Sequence, residues 1–352
     1  MTENPPLSEL DLALVNALQI NPRAPWSELA KPLGVDAATV ARRWERLRAA
    51  GHAWVTAYPR DEAGMASIIE VDCAPGQDTA VAAALSADPQ AVTVEHTSGG
   101  RDLLVTVLAT DFAALSRYVV DRLGDVPGVT STRAHPATRV YTEGSRWRLR
   151  SLSRPQRDAL AAPRRPSGAA VARAAELREL VCAMGENGRA SLSELAAELG
   201  VSVNTAGRRL NKLLDAGHLV LRCDLARSLS GAPVSVTFFG TVPAEHLDAT
   251  AREMSKLPEV RLCIGVAGPQ NLIATAWLGA LADVQTLEAQ LTTKLPHLRF
   301  ADRAIALRAV KLMGRLLDAD GKATGFVPVD VWDSPQPPDK IRSGRATGRT
   351  TG

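Results

Sequence analysis

Aromatic residues are scarce in this 352-residue chain, at 4% of the composition. This scarcity argues against a stacking platform for single-stranded nucleic acid, which needs a series of exposed rings. The four cysteines are scattered and show no CxxC spacing, which argues against a cysteine-based metal site and is typical of reduced thiols in the core. We therefore expect neither a metal nor a cofactor.

Long hydrophobic runs and catalytic motifs are also missing from the sequence. No apolar stretch approaches the roughly 20 residues that span a bilayer, and no basic segment precedes an apolar run near the N-terminus. No P-loop, Ser-His-Asp set or GxGxxG after a strand is interpretable. We expect a cytoplasmic, non-enzymatic protein without a membrane partner. The net charge of +3 permits a nucleic-acid partner without requiring one.

An internal repeat dominates what is present. Residues 27–52 and 193–218 align without a gap and are identical at 14 of 26 positions, at an offset of 166. Farther along, residues 89–107 align with 258–276 at an offset of 169, which implies a three-residue insertion between the two blocks. The chain therefore contains two copies of one two-part unit.

The first part of each copy has the pattern of a helix-turn-helix. A short helix ends at Gly34 or Gly200, where glycine can adopt a left-handed conformation. Asp36 and Ser202 then stand where the N-cap of a longer helix is expected. In a helix-turn-helix this longer helix enters the major groove of DNA.

Outward positions on this longer helix are the predicted DNA contacts. In the first copy Val40, Trp44 and Leu47 form an inward apolar stripe, so the basic residues between them face outward. Arginine suits bidentate contact with guanine or phosphate. The alternative is that these side chains form only a solvated helix face. The predicted DNA-binding residues are Thr39, Arg42, Arg43, Arg46, Asn204, Thr205, Arg208, Arg209 and Lys212.

The second part of each copy alternates between strand and helix patterns. Residues 66–73 alternate as a strand, a helix is expected over about 77–87, and two strands surround the glycine turn near residue 99. Another helix and a strand over 128–141 complete a β-α-β-β-α-β order, which the second copy repeats. We therefore predict an α+β fold with two winged helix-turn-helix domains, each followed by a ferredoxin-like βαββαβ domain.

These residues resemble a known family. LSELDLALVNALQINPRAPWSELAKPLGVDAATVARRWERLRAAGH is similar to the N-terminal module of the Lrp/AsnC (feast/famine) transcription regulators, and the turn Gly99-Gly100-Arg101-Asp102 resembles the G-x-x-D turn of their effector and assembly domain. The resemblance implies double-stranded DNA, a small effector such as an amino acid, and homo-oligomers. The effector residues it implies are Gly99, Gly100, Arg101, Asp102, Gly268, Gln270 and Asn271.

The two turns differ in charge, because Asn271 stands where the first copy has Asp102. Either turn could instead be only a tight hairpin. Since members of the family typically carry one unit and dimerise, two units in one chain suggest a covalent pseudo-dimer. The expected domains are helix-turn-helix domains at 1–60 and 174–226, βαββαβ domains at 61–142 and 227–332, a basic linker at 143–173 and a disordered tail at 333–352.

The expected function is a sequence-specific transcriptional regulator with two recognition helices. The alternative is an enzyme similar to the sirohaem decarboxylases, which share this architecture. Those enzymes carry His, Tyr and Arg residues in and around the early strands of the second domain. Here the corresponding strands ASIIEVDC and VSVTFFG contain no His or Arg, and His96 aligns with Gly265, which disfavours the enzyme.

Overall fold

The computed structural model describes residues 7–60, 64–160 and 174–333. Part of the predicted linker (161–173) and all but the first residue of the predicted tail (334–352) lie outside the described residues. The helices are α1 (Glu9–Ile20), α2 (Trp26–Leu33), α3 (Ala37–Ala49), α4 (Asp78–Ser86), α5 (Phe112–Arg117), α6 (Arg154–Leu160), α7 (Ala174–Gly185), α8 (Leu192–Glu198), α9 (Val203–Asp215), α10 (Ala244–Met254) and α11 (Asp283–Lys294). The strands are β1 (Ala53–Pro59), β2 (Met65–Cys73), β3 (Ala91–Thr97), β4 (Leu103–Ala109), β5 (Val129–Thr142), β6 (Leu219–Leu225), β7 (Val234–Thr241), β8 (Val260–Val266), β9 (Leu272–Leu278), β10 (Arg299–Leu312), β11 (Arg315–Leu317) and β12 (Ala323–Phe326). Across the described ranges, no helix combines the length and the apolar character that crossing a membrane requires.

Local capping signals set the helices of both helix-turn-helix modules. Asp36 accepts a hydrogen bond from the Thr39 amide (2.7 Å), and Ser202 accepts one from the Thr205 amide (3.2 Å), as the sequence predicts for N-caps. Gly34 has a left-handed φ of 69° and ends α2. Because these interactions span only a few residues, both modules form the same three-helix arrangement.

The strands that follow the two modules pair with each other. β1 and β6 form a two-stranded antiparallel ribbon centred on Thr56 and Arg222. Leu225 of β6 lies in the hydrophobic core of the first module, and Ala57 of β1 lies in the core of the second. Each module therefore buries apolar surface contributed by the other copy, which couples the two modules mechanically.

The βαββαβ units share their strands in the same reciprocal manner. Within each unit the first strand lies between the third and the fourth, giving the sheet orders β3-β4-β2-β5 and β8-β9-β7-β10. β5 pairs with β2 along its first half and with β8 along its second half. β10 likewise pairs with β7 and then with β3. The eight strands consequently close into a ring that contains both copies.

Two local details differ from the sequence pattern. Phe112, Leu115 and Val119 have the spacing of one continuous helix, but the helix changes to a π-helical turn at Tyr118; Tyr118 is buried while Phe112 is 66% exposed. Leu281 and Val284 likewise have helical spacing, yet Leu281 precedes α11 and is 62% exposed. Apolar spacing located these helices but did not identify which side chains face the core.

The segment between the copies and the end of the described chain also pack against the modules. Leu149, Leu152 and Leu160 join the hydrophobic core of the first helix-turn-helix module, although residues 143–173 have the composition of a linker. The hairpin β11–β12, which the sequence analysis did not predict, extends from β10. The Ala323 amide of this hairpin donates to the Gly51 carbonyl (2.8 Å), next to the first module.

Candidate nucleic-acid interface and effector turns

The outward face of α3 presents an arginine, Arg42, that has no acidic partner within the described part of the chain. Val40, Trp44 and Leu47 are buried, so the opposite face of α3 is directed outward. Arg42 is exposed, and its guanidinium donates a long hydrogen bond to the Thr39 hydroxyl (3.5 Å). Thr39 itself donates to Asp36 (2.7 Å) and thus contributes to the cap as well as to the surface.

Arg43 and Arg46 are held by an acid on the first helix. Each guanidinium lies 3.0 Å from a carboxylate oxygen of Asp11, whose side chain is 4% exposed. Burial raises the pKa of Asp11, but hydrogen bonds from Ser8 and Arg43 outweigh burial and hold the pKa below its usual value. These two arginines therefore fasten α3 to α1, and their charge is partly neutralised before DNA is present.

The second module repeats this division. Ala206, Leu210 and Leu213 are buried, and Arg208, the counterpart of Arg42, is exposed without an acidic partner among the described residues. Arg209 lies 3.3 Å from Glu179 and Lys212 lies 3.5 Å from Glu176, both on the first helix of the module. Basic residues at equivalent positions are thus held by acids in both copies. Arg42 and Arg208 are also equivalent, and neither has an acidic partner among the described residues.

The surfaces around the two free arginines differ. Asn204 is exposed at the start of α9, and Val203 beside it is 45% exposed, although it is apolar. Thr205 shares a hydrogen bond with Ser202 (2.9 Å). The first copy has alanine at positions 37 and 38, so only the second copy offers an amide and a branched apolar side chain there. Val203 is not among the predicted DNA-binding residues, although it belongs to the variable stretch 202–204 in which the two copies are expected to read DNA differently.

Two further arginines, absent from the predicted site, join the modules. Arg23 donates to the carbonyls of Gly188 and Ala190, each at 2.8 Å. Arg189 donates in return to the carbonyl of Ala24 (3.0 Å) and stacks on Trp26, with its guanidinium 3.8 Å from the ring centre. The repeated Arg-Ala dipeptide in NPRAP and NGRAS is the signal that could have revealed this reciprocal pair.

The turn at residues 99–102 directs its arginine inward. Gly99 has a φ of 98°, and both Gly99 and Gly100 are exposed. Arg101 is buried and ion-paired with Glu70 of its own unit and with Asp302 of the other copy. The Asp102 carboxylate accepts a hydrogen bond from the Cys73 amide (2.7 Å), so it fastens the turn to the end of β2.

The corresponding turn of the second copy is fastened without a charge. Asn271 accepts from the Val242 amide (3.0 Å) and donates to the Val242 carbonyl (2.7 Å), at the position equivalent to Cys73. Gln270 is half-buried, and Gly268 has a φ of 157°. Asn271 therefore preserves the turn that Asp102 holds in the first copy. The two turns still differ in charge, because the second turn has Gln270 at the position of the buried Arg101.

The buried charges of the first turn form a network at the contact between the two units. Glu70 lies 2.7 Å from His135 Nε2 and 3.5 Å from Arg133, in addition to its bond with Arg101. Phe239 of the second copy stands at the position equivalent to Glu70, and the Arg101 guanidinium lies 4.8 Å from the centre of its ring. Burial raises the pKa of Glu70, but His135 and Arg101 oppose it and lower the pKa to about 2.

Comparisons with known proteins agree with these features. The AsnC-type helix-turn-helix domain matches residues 7–48, the Lrp/AsnC ligand binding domain matches 66–147, and a winged helix-turn-helix DNA-binding domain matches 177–218. The HTH-type transcriptional regulator FL11 of Pyrococcus horikoshii is 30% identical over 142 residues, which cover 39% of this chain and 93% of FL11. LysM of Saccharolobus solfataricus is 27% identical over 141 residues, covering 39% of this chain and 98% of LysM.

Some solved structures match both copies together. The siroheme decarboxylase NirDL, in complex with an iron-uroporphyrin III analogue, covers 87% of this chain and 93% of its own with a TM-score of 0.54. At 14% identity this likeness concerns the fold alone. The domain matches and the regulators that align along nearly their full length establish the relationship by sequence: the chain belongs to the Lrp/AsnC family of transcriptional regulators.

Proposed function

We propose that this regulator binds DNA sequence-specifically through both α3 and α9. One observation carries the proposal: Arg42 and Arg208 are exposed at equivalent positions of capped recognition helices, while the neighbouring basic residues are fastened by acids of their own module. An arginine without an acidic partner retains its full charge and its donors for phosphate or guanine.

The two halves would read related but different half-sites. The shared arginines supply a common contact, whereas Val203 and Asn204 add groups that suit a thymine methyl and an adenine edge in the second half alone. The reciprocal bonds of Arg23 and Arg189 and the β1–β6 ribbon would keep the spacing of the two helices constant. Operator symmetry follows protein symmetry, so an imperfect palindrome is expected.

We also propose that the two βαββαβ units are ferredoxin-like effector and assembly domains. The exposed glycines Gly99, Gly100 and Gly268 leave backbone amides accessible to a small carboxylate such as that of an amino acid. This proposal includes the domain boundaries predicted above, the homo-oligomeric state and the two effector turns. The first copy keeps the G-x-x-D pattern of the family at residues 99–102, which favours a ligand there.

Arginine-to-glutamine substitutions test the DNA contacts. Genome-wide mapping of bound fragments first supplies an operator, and fluorescence anisotropy then gives its affinity as a function of salt. Arg42→Gln and Arg208→Gln should each weaken binding about 5- to 150-fold, which corresponds to about 1–3 kcal/mol for a lost bidentate contact. A phosphate contact would instead reduce the slope of log affinity against log salt by about 1.

The control is Arg117→Gln, which removes an exposed arginine from α5 of the first βαββαβ unit. This variant should bind the operator as the unmodified chain does. If Arg42→Gln and Arg208→Gln also left both the affinity and its salt slope unchanged, the assignment of α3 and α9 as recognition helices would be wrong.

A sirohaem decarboxylase activity is the second candidate function, and the likeness to NirDL over 87% of the chain favours testing it. Incubation of the purified protein with sirohaem, followed by absorbance spectroscopy and mass determination of the tetrapyrrole, separates the two functions. The regulator proposal predicts an unchanged tetrapyrrole. Loss of carboxyl groups at a rate above that of a protein-free control would establish the enzyme instead.

A further inference from the structure

A large cavity lies between the two βαββαβ units, on the side of the β1–β6 ribbon. Its volume is about 520 Å³, within the range of small-molecule sites. Ile68 and Leu108 line it from the sheet of the first unit, Ile264 and Trp277 from the sheet of the second, and Tyr58 from the ribbon. Both copies and the ribbon that couples the recognition modules thus contribute to one chamber.

Arginine is the dominant charged residue in the lining of this cavity. Three carboxylates pair with its guanidinium groups: Glu143 lies 3.8 Å from Arg60, Glu95 lies 3.7 Å from Arg227, and Asp224 binds two arginines at once. The other lining acids, Asp318 and Asp320, belong to a loop stabilised by Lys322 and backbone amides. The lining arginines are Arg60, Arg146, Arg222, Arg227, Arg261 and Arg308.

Two buried guanidinium groups of the lining share one carboxylate. Arg222 and Arg261 are each 6% exposed, and both pair with Asp224, which is 1% exposed. Arg261 also lies against Trp277, with its guanidinium 3.8 Å from a ring centre. Burial and the adjacent Arg222 together lower the pKa of Arg261 to about 10. An anion in the cavity would relieve this repulsion between like charges.

A second cationic group stands beside exposed apolar surface. Arg308 is exposed and has no acidic partner among the described residues. The pairing of β10 with β3 is irregular between Ala306 and Arg308, so the consecutive residues Leu307 and Arg308 both border the cavity. Leu307 is 67% exposed and Val140 across the cavity is 48% exposed. The site therefore combines an unpaired cation with apolar walls.

We propose that this cavity is an effector site for an organic anion with an aromatic or other apolar body, such as an aromatic carboxylate. The anionic group would bind Arg308 and the Arg222–Arg261 pair, and the body would lie against Leu307, Val140 and Trp277. The inference rests on the proposed regulatory function. The cavity is distinct from the effector turns, because none of the predicted turn residues lines it.

The route from this site to the recognition helices is short. Arg222 and Tyr58 lie on the β1–β6 ribbon, and the apolar side chains of the same ribbon fill the cores of both helix-turn-helix modules. A ligand that binds Arg222 therefore acts directly on the β1–β6 ribbon, which sets the relative placement of α3 and α9. The expected consequence is an operator affinity that depends on occupancy.

Two dyes that differ by one charge test the proposal. 1-Anilinonaphthalene-8-sulfonate is an aromatic anion, and N-phenyl-1-naphthylamine has the same body without the sulfonate. Fluorescence titration should show saturable binding of the anion at one site in each chain. Arg308→Gln should weaken the anion at least fivefold and leave the neutral dye within twofold, because only the anion uses the guanidinium. Thr106→Trp, which places a large ring in the cavity, should abolish both.

Arg117→Gln is the matched control, since it removes an exposed arginine outside the cavity lining. Circular dichroism checks that each variant is folded. Equal anion affinity in Arg308→Gln and in the unmodified chain would overturn the proposal, as would anion binding that survives in a folded Thr106→Trp variant.

The regulatory part has its own readout. Saturating anionic dye should change the operator affinity of the unmodified chain at least threefold and that of Arg308→Gln less at the same concentration. Dye binding with no change in operator affinity would refute the effector role. Because operator binding is measured without dye as well, failure of the cavity proposal with DNA binding intact is distinguishable from failure of the DNA-binding proposal itself.

Discussion

Replacement of Glu70 by glutamine tests the charged network that joins the two units. Glu70 is 6% exposed and accepts from Arg101, which also bonds Asp302 of the other copy. His135 Nε2 lies 2.7 Å from the other carboxylate oxygen. Glutamine keeps the size of the side chain but removes its charge, so the change isolates the ionic part of these interactions.

The depressed pKa gives the magnitude of the effect. The pKa of Glu70 is held at about 2 in the folded chain, against 4.5 for a free carboxyl. At about 1.36 kcal/mol for each pH unit, this difference corresponds to about 3 kcal/mol of stability for the ionised group. Because the folded pKa lies below the unfolded one, that stability is present above pH 4.5 and is lost as the pH falls towards 2.

Urea titrations of the two proteins between pH 7 and pH 2.5 provide the assay. At pH 7, Glu70→Gln should lower the free energy of unfolding by about 3 kcal/mol, the low end of the cost of breaking a buried ion pair. The gap between the two proteins should narrow below pH 4.5, since protonation removes the same charge from the unmodified chain. Other carboxyls titrate in both proteins and cancel in the difference.

Glu245→Gln is the control, because Glu245 is exposed on α10 and its replacement removes one charge without opening the network. Its effect on unfolding should stay within about 0.5 kcal/mol. A gap for Glu70→Gln below about 1 kcal/mol at pH 7, or one that stays constant down to pH 2.5, would show that the network does not stabilise the fold as argued.

Two further substitutions test the links between the copies. Replacing Arg23 and Arg189 together by alanine should lower the free energy of unfolding by about 2 kcal/mol for each arginine, since both donate charge-assisted hydrogen bonds to carbonyls of the opposite module. A loss below about 0.5 kcal/mol for the double variant would contradict this role. Gly51→Ala should lower the midpoint of thermal unfolding much more than Gly217→Ala does. Both glycines have positive φ values (67° and 74°), but only at Gly51 would the new Cβ collide with the carbonyl of Ala323. Equal midpoints would exclude that steric cost.

Much of the site could be predicted from the sequence because its signals are local. The caps Asp36 and Ser202, the left-handed glycine Gly34 and the buried stripe along α3 depend on residues within a few positions of one another. The repeat in turn identified equivalent residues in the two copies. Local pattern also located the strands of the βαββαβ units.

Sequence patterns could not assign the partners of charged residues. Arg42 and Arg43 are adjacent and chemically identical. Arg43 pairs with Asp11, because the packing of α3 against α1 brings that carboxylate within reach, whereas Arg42 meets no acid in the described ranges. Arg101 was predicted to lie at an effector turn, and its pairing with Asp302 requires the contact between the two units. The cavity arginines are scattered from residue 60 to residue 308, so no single stretch of sequence shows them together.

The sequence by itself determined the repeated two-part unit, the helices of the two helix-turn-helix modules and the residue types on their outward faces. The tertiary structure alone decided that β1 pairs with β6, that β5 and β10 each serve two sheets, and that a cavity forms between the units. The physical reason is the distance along the chain over which each interaction acts. Capping and periodicity act within a few residues along the chain, whereas the choice of a distant strand as partner depends on which apolar faces can be buried together in three dimensions.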